Sequence, residues 1–320
     1  MRLLAAVITG GRPRLADRVT RALFDEILDA GFEAVEWVIR EDHVDAYETD
    51  EKPFNVYPLD WANGYARAHW RHPVTRFQAD GFHGAFPGRE WALRTGEERG
   101  YDAVLLLDDN VKALGPINSS IPSCRAAMNP GRMLRTLADL CLSTNARMCG
   151  AQLNSVPPAK VRILRPGYPY SVYVEKTGPG RIPYFGPFED DIMHALDYAL
   201  DGGPNRTAAV VEAFRYEKTS VRTNTGGMRS HYSDQRGLEI ARRYPNNVRL
   251  KVTRGTSSPR DKTRGVRHVL NTRGFTPVRV VDPDLYAQAS AAVRRATLDA
   301  VAGKRASDRA KTRRRAAPSP

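Results

Sequence analysis

In the first forty positions, two continuous runs of apolar residues flank a stretch in which apolar residues have helical spacing. Residues 3–9 form the first run and residues 34–39 the second, while apolar residues over 15–30 recur at intervals of three and four. Strand, helix and strand within this length predict a βαβ unit. We therefore expect an α/β fold with a mostly parallel central sheet flanked by helices.

The stretch at residues 101–107 contains a continuous apolar run, Ala103–Leu107, which is a strong strand signal. A run without polar interruption is typical of a central strand that is covered on both faces. Residues 50–87 are rich in Pro, Gly, His and aromatic residues, and we predict a long loop with short elements there. Further helices are predicted at 88–99, 131–143, 189–200, 233–244 and 284–302, further strands within 150–188 and at 208–216, and basic strands and loops over 248–281.

Size and composition indicate a globular protein. The 320 residues are 41% hydrophobic, which suffices for one large α/β domain with a subdomain or a tail. The sequence contains no run of about 18 apolar residues, so we expect no membrane partner. The apolar N-terminus fits a buried strand better than a signal peptide. Cys124, Cys141 and Cys149 show no CxxC spacing, which disfavours disulfides and zinc and favours a cytoplasmic location.

The net charge of +13 is unevenly distributed. Residues 1–214 carry a net −4, residues 215–281 a net +12, residues 282–303 a net −1 and residues 304–320 a net +6. Concentrated positive charge favours a polyanionic partner, although a GC-rich genome also imposes arginine-rich compositions. The Ala, Arg, Lys, Ser and Pro content of 304–320 predicts a disordered basic tail.

Asp108, Asp109 and Asn110 directly follow the predicted central strand. Open α/β sheets bind ligands outside the carboxyl ends of their strands. Carboxylates at that position are able to hold Mg²⁺ or Mn²⁺ against the diphosphate of a nucleotide sugar. The structural alternative is an acidic turn after a core strand.

Glu189, Asp190 and Asp191 form a second acidic group, at the start of an apolar helical pattern. Helix capping is a sufficient structural reason for acidic residues there. Three adjacent carboxylates nevertheless repel one another unless a cation or a substrate uses them. One of them is a candidate to accept the proton of a hydroxyl group.

Two further positions carry candidate chemistry. Arg89 lies in the helix predicted before the acidic strand, where a guanidinium is able to pair with phosphate or a carboxylate. His231 follows Thr225, Gly226 and Gly227, a stretch in which paired glycines permit close backbone approach. A histidine there is a candidate ligand for a metal or phosphate, although a lone histidine is more often structural.

In this order the motifs resemble the GT-A glycosyltransferases over roughly residues 3–235. Within that group the chain looks like the TET-associated glycosyltransferases of bacteriophages and bacteria, on Gly88–Trp91, Leu106–Asn110, Glu189–Asp191 and Thr225–Gly227. The resemblance implies a GT-A-like catalytic domain at 1–235, a basic extension at 236–303 packed on it, and the tail at 304–320.

The same resemblance assigns roles to the candidate residues. It implies a nucleotide-sugar donor, most simply a UDP-sugar, and a divalent metal ion, Mn²⁺ or Mg²⁺. Asp190 is the first choice for the base, followed by Glu189 and Asp191. The donor site is expected to comprise Thr9, Gly11, Arg12, Arg40, Arg89, Asp108 and Asp109, and the metal site Asp109, Asn110 and His231. Asn110 departs from the usual aspartate and weakens the expected metal affinity.

Members of that group are implicated in glycosylating hydroxymethylated pyrimidines, such as 5-hydroxymethylcytosine, in DNA. The basic residues of 242–279 and of the tail at 304–315 would then hold the DNA backbone. A base inside a duplex must be flipped out to reach a pocket, and aromatic residues such as Tyr184, Phe185 or Tyr232 are candidates to stack on it.

Three alternatives remain open on the sequence. The same fold is able to act on a glycan or a protein acceptor. A nucleotidyltransferase also pairs a parallel strand with a carboxylate-bound metal, but it favours a lysine in the first loop, which the stretch Gly10–Pro13 lacks. A non-enzymatic, basic DNA-binding protein would carry the acidic motifs incidentally.

Overall fold

The chain folds into an α/β structure in which helices cover both faces of a large curled sheet. The computed structural model describes residues 1–10, 19–45, 47, 54–73, 75–79, 84–117, 127–154, 162–201, 203, 206–218, 237–253 and 265–316. The strands are β1 Leu3–Ile8, β2 Ala34–Arg40, β3 Phe54–Tyr57, β4 Ala103–Asp108, β5 Val111–Pro116, β6 Ala146–Leu153, β7 Arg165–Pro166, β8 Val172–Lys176, β9 Thr207–Lys218, β10 Val248–Thr253 and β11 Gly265–Leu270.

Most helices lie between strands in the chain. They are α1 Phe24–Asp29, α2 Glu41–Val44, α3 Leu59–His69, α4 Phe86–Glu98, α5 Pro130–Leu142, α6 Asp190–Leu200, α7 Leu238–Arg243 and α8 Pro283–Ala316, with a 3-10 turn at Val19–Leu23 before α1. No described helix combines the length and the apolar character that crossing a bilayer requires.

The main sheet has the strand order β3-β2-β1-β4-β8-β6-β9-β5, with β7 paired to β9, and β10 and β11 form a separate ribbon. Strands β3, β2, β1, β4, β6 and β9 share one direction, whereas β8, β5 and β7 run against them. The sheet is therefore mixed, and the prediction of a mostly parallel sheet was wrong in this respect. Parallel neighbours need a crossover, usually a helix, and the described residues between β6 and β8 contain none.

The curl of the sheet follows from the short link between β4 and β5. Only Asp109 and Asn110 separate these strands, yet β5 pairs with β9 at the far edge. Two linking residues span at most about 10 Å between strand ends, less than the roughly 20 Å width of four strands. The edge strand β5 must therefore curl back towards β4, which brings Lys218, the register partner of Val111, beside the end of β4.

Alternation along β1 explains why both faces of the sheet are covered. Leu3, Ala5 and Val7 point into one core with α1, α5 and α8, and Leu4 and Ala6 point into the other with α3, α4 and α6. All six residues of β1 are buried, as expected for a strand between two helical layers.

The structure differs from the predicted elements in three places. The predicted loop at 50–87 contains α3, where Ala62, Tyr65 and Ala66 form a buried face that the surrounding aromatic and Pro residues obscured. Within the helix predicted at 15–30, the described residues 19–29 form a 3-10 turn followed by α1. Helix α8 continues to Ala316, where disorder was predicted from residue 304. Ala, Lys and Arg are strong helix formers, and extending an existing helix avoids the nucleation cost.

Candidate active site

The ends of four neighbouring strands meet at one edge of the sheet. Ile8 pairs with Asp108, so Thr9, which follows β1, lies beside the end of β4. On the other side, Arg40 at the end of β2 pairs with Tyr57 at the end of β3. Polar residues thus gather where open α/β sheets bind ligands.

Arg89 is the centre of a buried ionic cluster at this edge. Its Nη2 lies 2.7 Å from Asp108 Oδ1 and 3.5 Å from Asp191 Oδ2, and its Nη1 donates to Asp190 Oδ2. The residue is only 4% exposed. One guanidinium on α4 therefore joins the end of β4 to the first turn of α6. The cluster brings together four of the predicted site residues, namely Arg89, Asp108, Asp190 and Asp191.

Two residues that the sequence did not indicate complete this cluster. Lys218 Nζ donates to Asp108 Oδ2 at 2.6 Å and to Ser171 Oγ at 2.8 Å. The backbone N–H of Ser171 donates to Asp191 Oδ2 at 3.1 Å. Lys218 ends β9 and Ser171 precedes β8, and neither lies in a recognisable motif. Their roles depend on the curl of the sheet, which no local pattern encodes.

Backbone strain is concentrated at the same place. Ser171 has φ +65° and Glu189 has φ +51°, and these are the non-glycine residues with positive φ in the described part of the chain. Side chains other than Gly, Asn and Asp rarely adopt this conformation. Strained residues persist where the surrounding structure fixes them, often at functional sites.

The carboxylates of the cluster differ in their affinity for protons. Burial raises the pKa of Asp191 to about 6, with Asp190 and Asp108 adding like charge and Arg89 opposing the shift. Burial also acts on Asp108, but Lys218 and Arg89 outweigh it and hold the pKa of that carboxyl far below its usual range. The nearby acids hold the pKa of Arg89 above its ordinary value despite burial, so the guanidinium stays charged. The site thus pairs a permanently ionised aspartate with one that titrates near neutrality.

The predicted donor side of the site lies at the ends of β1 and β2. Thr9 Oγ1 donates to Asp109 Oδ2 at 3.0 Å and lies 2.9 Å from the Tyr47 hydroxyl. Arg40 pairs with Asp42 through two hydrogen bonds of 2.5 and 2.9 Å and donates to His43 Nε2 at 3.3 Å. These contacts hold Arg40 close to the turn after β1, since a side chain at Gly10 would touch the His43 ring.

The described residues match the expected metal site only in part. Asp109 and Asn110 are both buried in the turn after β4, and they supply oxygen donors of the kind that Mg²⁺ prefers. Both carboxylate oxygens of the neighbouring Asp108 are bound to cationic side chains. Within the described ranges, no group of three His, Cys, Asp or Glu residues has metal-binding geometry. Positive charge near Asp108 is instead supplied by Arg89 and Lys218.

Some predicted positions lie elsewhere or outside the described residues. Gly11, Arg12, His231 and Tyr232 fall outside the residues that the structure describes. Tyr184 is fully buried, with its hydroxyl bound to Glu175, so the prediction that it could stack on a base was wrong. The Phe185 ring is half-buried and has the guanidinium groups of Arg71 and Arg243 each 5.0 Å from its centroid.

A buried polar seam attaches α6 to β8 behind the cluster. Tyr173 and Glu175 lie on one face of the strand, and His194 and Tyr198 lie on the facing side of the helix. Glu175 accepts from the hydroxyls of Tyr198 at 2.8 Å and Tyr184 at 2.9 Å, and His194 Nε2 lies 2.8 Å from Glu175 Oε1. A buried carboxylate with three partners fixes the helix in one orientation.

No protein-family model matches the chain, and no curated protein is similar to it at a significant level. Among solved structures, the chain is similar to a crystal structure described as that of a mycobacterial protein. The two share 12% identity with a TM-score of 0.43, over 84% of this chain and 83% of the other. A likeness this distant carries no argument about function.

Proposed function

We propose that this protein is a nucleotide-sugar-dependent glycosyltransferase with a GT-A-like fold that transfers a sugar to a hydroxyl group. The observation that carries the proposal is the Arg89 cluster, which joins Asp108 at the end of β4 to Asp190 and Asp191 at the start of α6. A donor site at the strand ends and an acceptor base on α6 are thereby held next to each other. The strained backbone at Ser171 and Glu189 supports a functional role for the cluster.

The proposed reaction is a displacement at the anomeric carbon of the donor sugar. The acceptor oxygen forms a bond to that carbon, its proton passes to a carboxylate, and the bond to the diphosphate breaks. The nucleoside diphosphate leaves with the electron pair. Thr9, Arg40 and Asp109 are proposed to bind the nucleotide, as the motif order implies.

Asp191 is the residue that we propose as the base. Its pKa of about 6 lets it be ionised at neutral pH and still accept a proton during reaction. Asp190, the first choice from sequence, receives a hydrogen bond from Arg89 and is proposed to hold the guanidinium in place. Glu189 is proposed to set the entry of the chain into α6 through its left-handed backbone.

A divalent metal ion remains part of the proposal at Asp109 and Asn110. When bound, such an ion would neutralise charge on the departing diphosphate. No step of the reaction above is assigned to it, because Arg89 and Lys218 already bring two positive charges to the site.

The proposed acceptor is a hydroxymethylated pyrimidine in DNA. The support is the basic composition of the C-terminal third, where residues 215–281 carry a net +12. The alternatives are a glycan or protein acceptor handled by the same site, and a basic DNA-binding protein without catalysis.

A transfer assay tests the proposal. Purified protein is mixed with a panel of UDP- and GDP-sugars, Mg²⁺ or Mn²⁺, and duplex DNA containing cytosine or 5-hydroxymethylcytosine, and digested nucleosides are read by mass spectrometry. We expect a sugar-sized mass gain on the modified base only. Asp191→Asn should abolish it, whereas the matched control Asp102→Asn, at an exposed carboxylate, should not.

The outcomes separate the alternatives. Release of free nucleotide from one donor without DNA modification would support a glycosyltransferase and exclude the modified base as its acceptor, which would favour a glycan or protein acceptor. An absence of both transfer and donor turnover across the panel, in protein that still binds DNA, would favour the non-enzymatic alternative.

A further inference from the structure

The two-stranded ribbon β10–β11 is separate from the main sheet and exposes both of its faces. Its six paired positions run antiparallel from Val248 opposite Leu270 to Thr253 opposite Gly265. Leu250 and Val269 are each 43% exposed, which is unusual for large aliphatic residues on a strand. Two-stranded ribbons are marginally stable alone, so an exposed one of this composition is a candidate interaction surface.

The first strand of the ribbon carries exposed positive charge. Arg249 and Lys251 are exposed on one face, and no described acidic side chain pairs with either of them. On the preceding helix, by contrast, Arg242 pairs with Glu239 and Arg243 with Asp197. Among the described residues 237–251, the basic side chains without an acidic partner are thus Arg249 and Lys251 on the ribbon.

The base of the ribbon is fixed to the helix that carries the candidate base. Val248 packs with Tyr244, whose hydroxyl donates to the Met193 carbonyl oxygen at 3.0 Å. Asn247 donates to the Arg273 carbonyl oxygen at 2.7 Å and closes the ribbon at its base. Met193 is two residues from Asp191 on α6, so the ribbon base is anchored within roughly 10 Å of the carboxylates along that helix.

We propose that the β10–β11 ribbon is a docking surface for double-stranded DNA, with Arg249 and Lys251 contacting backbone phosphates. A ribbon of six paired residues is about 20 Å long, and the major groove of B-form DNA is wide enough to admit two strands. Arg249 and Lys251, which have no acidic partner among the described residues, match the phosphates, and the exposed Val269, opposite Arg249 on the same face, provides apolar contact for sugar and base edges. The inference rests on the proposed function in sharing its DNA acceptor, but it uses none of the same residues.

The test measures DNA affinity by fluorescence anisotropy of a short labelled duplex over a series of salt concentrations. We compare the full-length protein with the double variant Arg249→Gln/Lys251→Gln. Each lost phosphate contact lowers the slope of log Kd against log salt by about 1, so we expect the slope to fall by about 2 and affinity at low salt to fall about tenfold. Circular dichroism verifies that the exposed substitutions leave the fold unchanged.

Two matched variants make the result specific. Lys112→Gln/Arg132→Gln removes the same charge from exposed positions on β5 and α5 and should leave the salt slope unchanged. Arg249→Lys/Lys251→Arg keeps the charge of the ribbon and should retain affinity. An equal loss in the control and ribbon variants would overturn the proposal, as would tighter binding to single-stranded RNA or polyglutamate than to duplex DNA.

This measurement separates failure of the ribbon from failure of the enzyme. Donor turnover is measured on the same preparations, and the ribbon variants should retain it in the absence of DNA. A ribbon variant with unchanged DNA affinity refutes the docking surface, whatever the donor assay shows. Lost affinity in a protein that turns over no donor supports the ribbon and refutes the transferase.

Discussion

Arg89 is a buried cation that pairs with three aspartates, and this makes it sensitive to substitution. Removing one member of a buried ionic cluster leaves the others uncompensated in a medium of low polarity. Asp108, Asp190 and Asp191 would then repel one another, with Lys218 as the nearest remaining cation. The residue therefore has a structural role whether or not the site is catalytic.

We predict that Arg89→Met lowers the free energy of unfolding by about 3–5 kcal/mol. Urea unfolding followed by circular dichroism measures the change. Arg132→Met, at an exposed position on α5, is the matched control and should change stability by less than about 0.5 kcal/mol. Similar effects of the two substitutions would show that the Arg89 cluster contributes nothing to the fold.

Replacing the carboxylate of Asp191 should raise the stability of the protein and lower its activity. Its pKa is about 6 in the folded protein, against about 3.9 in an unfolded chain. The folded state thus keeps a proton that the unfolded state releases, and the native protein loses stability as the pH rises from about 4 to 6. Above that window, the cost of the buried charge is fully present.

Asp191→Asn should therefore stabilise the protein by about 2–3 kcal/mol at pH 7, and the gain should vanish near pH 4. The transfer rate of the unsubstituted enzyme should rise with pH through about 6, and the variant should lose transfer. Thermal unfolding and rate measurements over the same pH series test both parts. A variant that is equally stabilised at pH 4 and pH 7 would contradict the titration of this carboxyl.

The sequence predicted the residues of the cluster better than it predicted their arrangement. Asp108 and Asp190 could be selected because acidic residues after an apolar run, or before a helical pattern, are visible locally. Lys218 and Ser171 could not, because they reach the cluster through the β5–β9 pairing and a strained loop. Tyr184 was misjudged because its burial and its hydrogen bond to Glu175 on β8 arise from tertiary packing that no local pattern shows.

At the scale of elements, the polar seam between β8 and α6 is what orients the acidic first turn of the helix. Tyr198 both donates to Glu175 and accepts from the Ile182 backbone N–H at 3.2 Å. A buried carboxylate that loses one of its donors keeps most of its desolvation cost. The helix should then dock less firmly while its apolar contacts remain.

We predict that Tyr198→Phe lowers the free energy of unfolding by about 1–3 kcal/mol. Tyr286→Phe, on the half-buried face of α8, is the control, because no described group bonds to that hydroxyl. Chemical unfolding of both variants makes the comparison. If Tyr198→Phe proved as harmless as its control, the seam would be ordinary packing without a positioning role.

The predicted helices and strands agree with the structure where the apolar residues follow a single helix or strand spacing. They fail where the outcome depends on how the strands pair. The strands β1, β2 and β4 and the helices α4, α5 and α6 follow their apolar patterns to within two residues. The direction of β8 could not be predicted, because an apolar run is compatible with either pairing. The absence of a crossover helix in the described residues before β8 is visible only in the structure.

At the scale of the whole molecule, the net positive charge lies in the C-terminal third of the chain, and α8 carries most of its last block. Ala289, Val293, Ala296 and Ala300 form its buried stripe, which packs on α5. Beyond Ala300 none of the described side chains of α8 is buried, through Thr312. The helix therefore has a docked half and a basic half that extends into solvent.

Truncation separates these two halves. Deleting 304–320 removes no buried side chain from the described part of α8, so we predict an unchanged free energy of unfolding, within about 0.5 kcal/mol. Deleting 283–320 uncovers the apolar face of α5 and should cost several kcal/mol at about 25 cal/mol per Å² exposed.

Because the shorter deletion also removes a net +6, it should weaken DNA binding and reduce its salt dependence. Urea unfolding of both truncated proteins measures their stability, and fluorescence anisotropy with a labelled duplex measures their DNA affinity and its salt dependence. Reduced stability in the shorter truncation would mean that the basic half of α8 contributes to the fold, and its role would then be structural as well as electrostatic.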